Sequence, residues 1–172
     1  NSSKILHIGI GNSYISSNLN KYSLIDGISI SSKEILLAKN LNIKNYDASF
    51  KNKYEFNTFY NFSNYKYDII IDANIKSFAC CEKAFQHLMQ QYFEILNFDG
   101  FIITNTKGMN WSRNVQPIIH FNFKNLFHRR LKEYDGPSSN LLTVSEFYVL
   151  SKKFGFTLKN FEKNIILLSK LQ

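Results

Sequence analysis

The segment Lys4-Ile5-Leu6-His7-Ile8-Gly9-Ile10-Gly11-Asn12-Ser13 decides how this chain folds. Three aliphatic residues, Ile5, Leu6 and Ile8, lead into Gly9-Ile10-Gly11, after which the apolar spacing changes to the three- and four-residue steps of Ile15, Leu19 and Tyr22. The change predicts a buried strand, a glycine turn and a helix of roughly two turns. Gly9 and Gly11 carry no Cβ, so a ligand can lie against the backbone there, and the N–H groups that open the next helix favour negative charge such as a carboxylate. The same residues also suit a turn that uses glycine for its geometry alone. The rest of the chain has to separate the two.

Working outward, Ser23 to Ser29 reads as a second strand, and Ser31-Ser32-Lys33-Glu34 as a capping box that opens a helix with Ile35, Leu36 and Ala38 on its core face. Lys44 to Phe50 is a short third strand. Tyr67 to Asn74, with the unbroken run Ile69-Ile70-Ile71, has the composition of a parallel strand buried on both faces, and Asp72 lies at its carboxyl end. Phe78, Cys81, Phe85, Leu88, Tyr92, Ile95 and Leu96 recur at helical steps. A turn at Asn97 to Gly100 precedes a fifth strand, Phe101 to Thr106. Thr143-Val144-Ser145-Glu146 caps a last helix carrying Phe147, Leu150 and Phe154, which Gly155 ends. Phe156 to Phe161 and Asn164 to Ser169 then form a hairpin. The alternation of strands and helices implies an α/β fold with parallel strands and helices on both faces. Lys107 to Leu142 is longer than most connections, and reads as a lid or substrate-binding insertion, or else as a disordered stretch.

Composition narrows the class. At 172 residues the chain fits one domain with one continuous core, and 44% hydrophobic with 16% aromatic residues excludes a disordered chain. No apolar run is long enough for a membrane span. Cys80 and Cys81 are adjacent and cannot form an ordinary bridge, which fits a reducing, cytoplasmic setting, and His7, His87, His120 and His128 show no metal-ligand spacing. The chain starts at Asn1 without methionine, so a trimmed terminus or a longer polypeptide is expected. Its net charge of +8 invites a nucleic-acid reading. Yet Arg113, Arg129 and Arg130 are the only arginines among 21 basic residues, and scattered lysine is ordinary solvated surface. The densest basic stretch is 107–133, where Phe121, Phe123 and Phe127 interleave with the cations. It suits single-stranded nucleic acid, or an amphipathic helix with its phenylalanines inward.

The succession I-L-H-I-G-I-G-N-S, Y-D-I-I-I-D, I-L-N-F-D-G-F-I-I-T and S-K-K-F-G-F-T-L resembles the class I, Rossmann-like S-adenosylmethionine-dependent methyltransferases over nearly the whole chain. That resemblance implies a three-layer sandwich, with a mostly parallel seven-stranded sheet closed by an antiparallel carboxyl-terminal hairpin. It also implies S-adenosyl-L-methionine as cofactor. A nicotinamide dehydrogenase is disfavoured, because the third small residue of its fingerprint would fall at Tyr14.

Carried residue by residue, the resemblance places the cofactor against His7, Gly9, Gly11, Asn12, Ser13, Ser29 and Asp72. Three positions depart from the family pattern. His7 stands where an acidic residue is usual, Ser13 replaces a third glycine, and Ser29 ends the second strand where Asp or Glu would accept both ribose hydroxyls. Asp26, three residues earlier, points to the other face of an extended strand. Asp72 is the candidate base or substrate anchor, with capping of the next turn as its structural alternative. Asn74, Lys107 and Trp111 are candidate substrate contacts on the same edge, or a turn residue and a packing anchor. The function expected is methyl transfer to a small-molecule or glycan acceptor. An RNA methyltransferase and a non-catalytic methyltransferase-like interaction domain are the alternatives.

Overall fold

A computed structural model of the chain describes residues 3–19, 21–29, 32–41, 44–47, 65–73, 75, 77–79, 82–106, 139–141 and 144–171. In chain order the elements are β1 (Ser3–Ile8), α1 (Tyr14–Leu19), β2 (Ser23–Ser29), α2 (Ser32–Asn40), β3 (Lys44–Asp47), β4 (Tyr67–Asp72), β5 (Ser77–Ala79), α3 (Glu82–Ile95), β6 (Leu96–Asn105), β7 (Ser139–Leu141), α4 (Val144–Lys153), β8 (Phe156–Glu162) and β9 (Ile165–Lys170). Seven strands form one sheet in the order β3-β2-β1-β4-β6-β9-β8. The first five of that order pair in parallel, and β9 and β8 add antiparallel. The expected sheet is therefore present, with its hairpin at one edge.

Alternation along β1 explains the layering. Leu6 and Ile8 turn to one face, where they join Ile70, Ile102, Ile166 and Leu168, covered by Leu88, Met89, Tyr92 and Ile95 of α3 and Phe147 of α4. Ile5 turns to the other face, with Ile25 and Ile71 beneath Ile35 and Ala38 of α2. Each fully buried aliphatic side chain contributes about 1.5–3 kcal/mol of transfer free energy. A central strand therefore has to be apolar on both sides, which is why it reads as an unbroken run.

Four expectations are corrected. Ile15 and Tyr22 are exposed and Leu19 is half-buried, so the buried side chain of α1 is Ser16, and the helix stops at Leu19. Leu36 is exposed, leaving Ile35 and Ala38 as the inward residues of α2. Phe78 belongs to β5, which pairs antiparallel with β7 in a separate two-stranded sheet, so α3 begins only at Glu82. Finally, Asn97 to Gly100 forms no free turn: β6 already starts at Leu96, and its register against β4 jumps from Tyr67↔Leu96 to Ile69↔Phe101. The expectations for 48–50, Cys81, Thr143 and most of 107–142 lie outside the described residues.

That irregularity is held by one carboxylate. Asp68 accepts the Lys4 N–H at 2.8 Å and the Asn97 side-chain amide at 2.7 Å, tying the start of β1 to the bulge. The Lys4 bond, then the Asn97 bond, hold the Asp68 carboxyl below its ordinary value, with burial opposing them. Beside the same irregularity, Gly155 (φ +83°) terminates α4, Leu171 N–H returns to its carbonyl at 2.7 Å, and the Lys170 ammonium donates to the Leu96 carbonyl. Lys170 sits 4.6 Å over the Phe93 ring, while Phe93 meets Phe156 edge-on at 5.6 Å.

Gly100 packs with no room to spare, since a Cβ there would lie 2.8 Å from both the Asp68 carbonyl oxygen and Leu96 Cδ1. Gly100→Ala is therefore expected to lower stability by about 1–3 kcal/mol, read as the urea midpoint. The exposed-site control Val149→Ala should stay within about 0.5 kcal/mol. Equal midpoints for the two variants would contradict the close packing at the bulge.

Candidate functional site

Because β1 is paired in parallel with both β2 and β4, its glycine turn emerges where Ile28 and Asp72 also reach the carboxyl edge, both in register with Ile8. Ligands of open α/β sheets gather at that edge. Gly9 N–H donates to the Ile28 carbonyl at 2.8 Å and Ile10 N–H to the same oxygen at 3.4 Å, binding the turn to the end of β2. The chain leaves β1 through left-handed backbone at Gly9 (φ +69°) and Gly11 (φ +53°). A Cβ at either glycine would meet nothing within 4 Å. Their requirement is thus conformational, and the space in front of them is open.

Ser13 shares the left-handed conformation (φ +60°), which costs an L-residue about 1–2 kcal/mol. It is fully buried, and among the described residues its Oγ has no hydrogen-bond partner. Asn12 is exposed, and its side-chain oxygen accepts the Tyr14 N–H at 3.1 Å, capping α1. His7 is 5% exposed and shares a 2.6 Å hydrogen bond, through Nδ1, with Ser16 Oγ. Burial pushes the His7 imidazole below its ordinary pKa of 6.5, and the nearby negative charge of Asp72 opposes the shift. Asp72 is 1% exposed at the end of β4 and accepts the Tyr92 hydroxyl at 2.8 Å. Imidazole and carboxylate are thus held by α1 and α3 respectively, on opposite faces of the sheet.

Ser29 is buried at the end of β2, and its hydroxyl donates to Glu34 Oε2 at 2.5 Å. Gly11 N–H donates to the same oxygen at 3.2 Å. Glu34, half-buried on the first turn of α2, therefore brings a carboxylate to the junction of the glycine turn and β2. Sequence reasoning treated Glu34 as a cap only. The available signal was its position five residues after the strand-ending Ser29, at the carboxyl edge. Ser16 and Tyr92 were likewise missed as polar partners; three-residue spacing from Ser13 marks Ser16, while Tyr92 read as plain core. Asp26 is buried and accepts the Tyr67 hydroxyl at 2.8 Å, away from this edge.

The structure thus brings His7, Gly9, Gly11, Asn12, Ser13, Ser29 and Asp72 to one end of the sheet. Asn74, Lys107, Trp111 and the basic stretch 107–133 lie outside the described residues. Among the described residues no group of His, Cys, Asp or Glu could hold a metal ion, and no helix is long and apolar enough to cross a membrane. The residues present suit a ligand laid along the glycine turn: open space at two glycines, an orphaned buried hydroxyl, and two carboxylates.

No protein-family model matches the chain, and no curated protein matches its sequence. Its fold, by contrast, is that of the class I S-adenosylmethionine-dependent methyltransferases. It superposes on an S-adenosylmethionine-dependent methyltransferase from Methanosarcina mazei with a TM-score of 0.65 at 18% identity, covering 99% of this chain and 93% of that one. A TehB-like S-adenosylmethionine-dependent methyltransferase from Corynebacterium glutamicum gives 0.59 at 13% identity, covering 98% and 80%. The 1,6-didemethyltoxoflavin-N1-methyltransferase of Burkholderia thailandensis, solved with 1,6-didemethyltoxoflavin and S-adenosylhomocysteine, gives 0.61 at 10%, covering 99% and 72%.

The buried imidazole carries a pH signature. An unfolded histidine titrates near 6.5 and folded His7 lower, so between those values the unfolded chain binds more protons. Stability is expected to be full above about pH 7 and to fall as the pH drops below 6.5. His7→Gln should flatten the melting-temperature profile between about pH 7.5 and 5.5. An unchanged slope would transfer the effect to His87, which burial also lowers.

Proposed function

We propose that this chain is an S-adenosylmethionine-dependent methyltransferase whose cofactor lies along the Gly9–Ser13 turn, and that its acceptor is a small molecule or a glycan. The observation that carries this reading is the open, left-handed glycine turn at the carboxyl edge, bonded to the end of β2 and containing the orphaned Ser13 hydroxyl. When bound, the cofactor would supply a methyl group on a positive sulfur: the acceptor's lone pair would form the bond to the methyl carbon in line as the carbon–sulfur bond breaks, with a neutral thioether as the leaving group.

The chain's own task is then to bind and orient. Gly9 and Gly11 admit the ligand to the backbone. Asp72, held by Tyr92, acts as a fixed negative charge that favours a cationic ligand. A base has to come within hydrogen-bond reach of the acceptor's proton, and a carboxylate 1% exposed is badly placed for that. The small heterocycle bound by the Burkholderia enzyme supports a small acceptor on this fold. The pairing of β5 with β7 brings the last residues of the 107–142 connection beside the segment that follows β4, which supports an acceptor-side role for that connection. The adjacent Cys80 and Cys81 support a reducing, cytoplasmic setting.

A thermal-shift titration with S-adenosylmethionine and S-adenosylhomocysteine tests the reading. Ligand at about a hundred times its dissociation constant should add about 2.7 kcal/mol, or roughly 5–10 °C for a chain of this size. Gly11→Ala should cost about 1 kcal/mol by itself and abolish the ligand-induced shift, because the added methyl occupies the open space. No shift with the unaltered chain at millimolar ligand would overturn the proposal. Salt-sensitive retention of RNA would redirect it to a nucleic-acid acceptor.

A further inference from the structure

Glu34 is more than a helix cap. Its Oε2 accepts one hydrogen bond from the strand-ending Ser29 hydroxyl and one from the Gly11 N–H of the glycine turn, so one carboxylate joins β2, α2 and the turn. It is half-buried, so it retains a surface that a ligand in the open space before Gly9 and Gly11 can reach. A carboxylate presents two oxygens, about four lone-pair sites and no donor. The ligand group that suits it carries two adjacent O–H or N–H donors. In the cofactor proposed above, the ribose 2′,3′-diol is the one pair of vicinal hydroxyls.

We infer that Glu34 is the residue that accepts the ribose hydroxyls in this chain, and that Ser29 is a positioning residue acting through it. This rests on the cofactor reading of the preceding subsection. Ser29 ends β2 with a short neutral side chain, and by itself offers a ribose one ordinary hydrogen bond. Its hydroxyl is spent instead on orienting a charged acceptor, and hydrogen bonds to a charged group are roughly twice as strong as neutral ones. The carboxylate comes from the helix that follows the strand. Its position therefore depends on a serine–glutamate contact that a strand-borne acid would not need. The device selects an unmodified diol: a 2′-phosphate would bring negative charge against Glu34, and a deoxyribose would leave part of the acceptor unmatched.

The test is calorimetric binding of S-adenosylhomocysteine and of its 2′-deoxy analogue to the unaltered chain, Glu34→Gln, Ser29→Ala and Ser29→Thr, with ligand-free melting temperatures recorded for each. The unaltered chain should bind the ribose form about 10- to 100-fold more tightly than the deoxy form. Glu34→Gln should lose that discrimination along with the affinity, Ser29→Ala should lose most of it, and Ser29→Thr should recover it. Tight binding of both ligand forms by the unaltered chain would overturn the assignment of Glu34. So would discrimination that survives intact in Glu34→Gln. Neither result would touch the cofactor reading. If the unaltered chain binds neither ligand, the cofactor reading itself fails, and this inference with it. The comparison of two ligands on the unaltered chain stands even where a variant does not fold.

Discussion

The hydrogen bond from Gly9 N–H to the Ile28 carbonyl is the constraint on which the functional end of this molecule depends. To make it, the chain has to abandon the extended conformation directly after Ile8 and enter left-handed backbone, which is accessible to glycine at little cost. Once made, it fixes where α1 starts, and it presses the turn against the end of β2, so that Gly11 N–H reaches the first turn of α2. Two parallel strands and two helices are thereby locked at one edge by backbone geometry. No side chain of β1 takes part in that bond.

Burial on both faces creates a difficulty at the same edge. A central parallel strand is covered above and below, so a polar residue near its end has no water to satisfy it, and an unpaired buried polar group costs about 1–3 kcal/mol. His7 and Asp72 are such residues. Each is met by a hydroxyl from the helix on its own side, Ser16 on α1 and Tyr92 on α3. The serine on the inner face of α1, where an aliphatic would otherwise pack, follows from the histidine it faces. Core packing has been given up locally for polar complementarity, and this occurs where the open space of the glycine turn lies.

Legibility in the sequence followed the same division. β2, β4 and the closing hairpin could be read because aliphatic runs, glycines and capping residues act locally; their order implied parallel strands with helices on both faces, and the seven-stranded sheet came from the resemblance to the class I methyltransferases. Ile15, Tyr22 and Leu36 misled because a short helix offers too few turns for periodicity to choose its inward face, and for α1 the answer depends on His7, a tertiary neighbour. Phe78 kept helical spacing while its backbone paired with β7, a partner some sixty residues away. The bulge at Asn97 to Gly100 left only a turn signature. At the site, Gly9, Gly11 and Asp72 were marked by composition and position. Glu34 was not, since S-x-x-E is the same pattern whether the carboxylate turns to its own cap or to the glycine turn.

Ser13 shows how far those local rules are overridden here. A glycine at this position would adopt φ +60° without the cost of a Cβ, and would bring no hydroxyl into the interior. The serine incurs both penalties, together about 2–5 kcal/mol on ordinary magnitudes. Among the described residues its Oγ makes no hydrogen bond to offset them. Thr104 Oγ1 and Ser151 Oγ are likewise buried without a partner, so what sets Ser13 apart is that its cost falls in left-handed backbone beside two glycines that face open space. Strain and unsatisfied polarity concentrate where a structure is organised around binding. The two penalties therefore fall together at the turn on which the cofactor proposal rests.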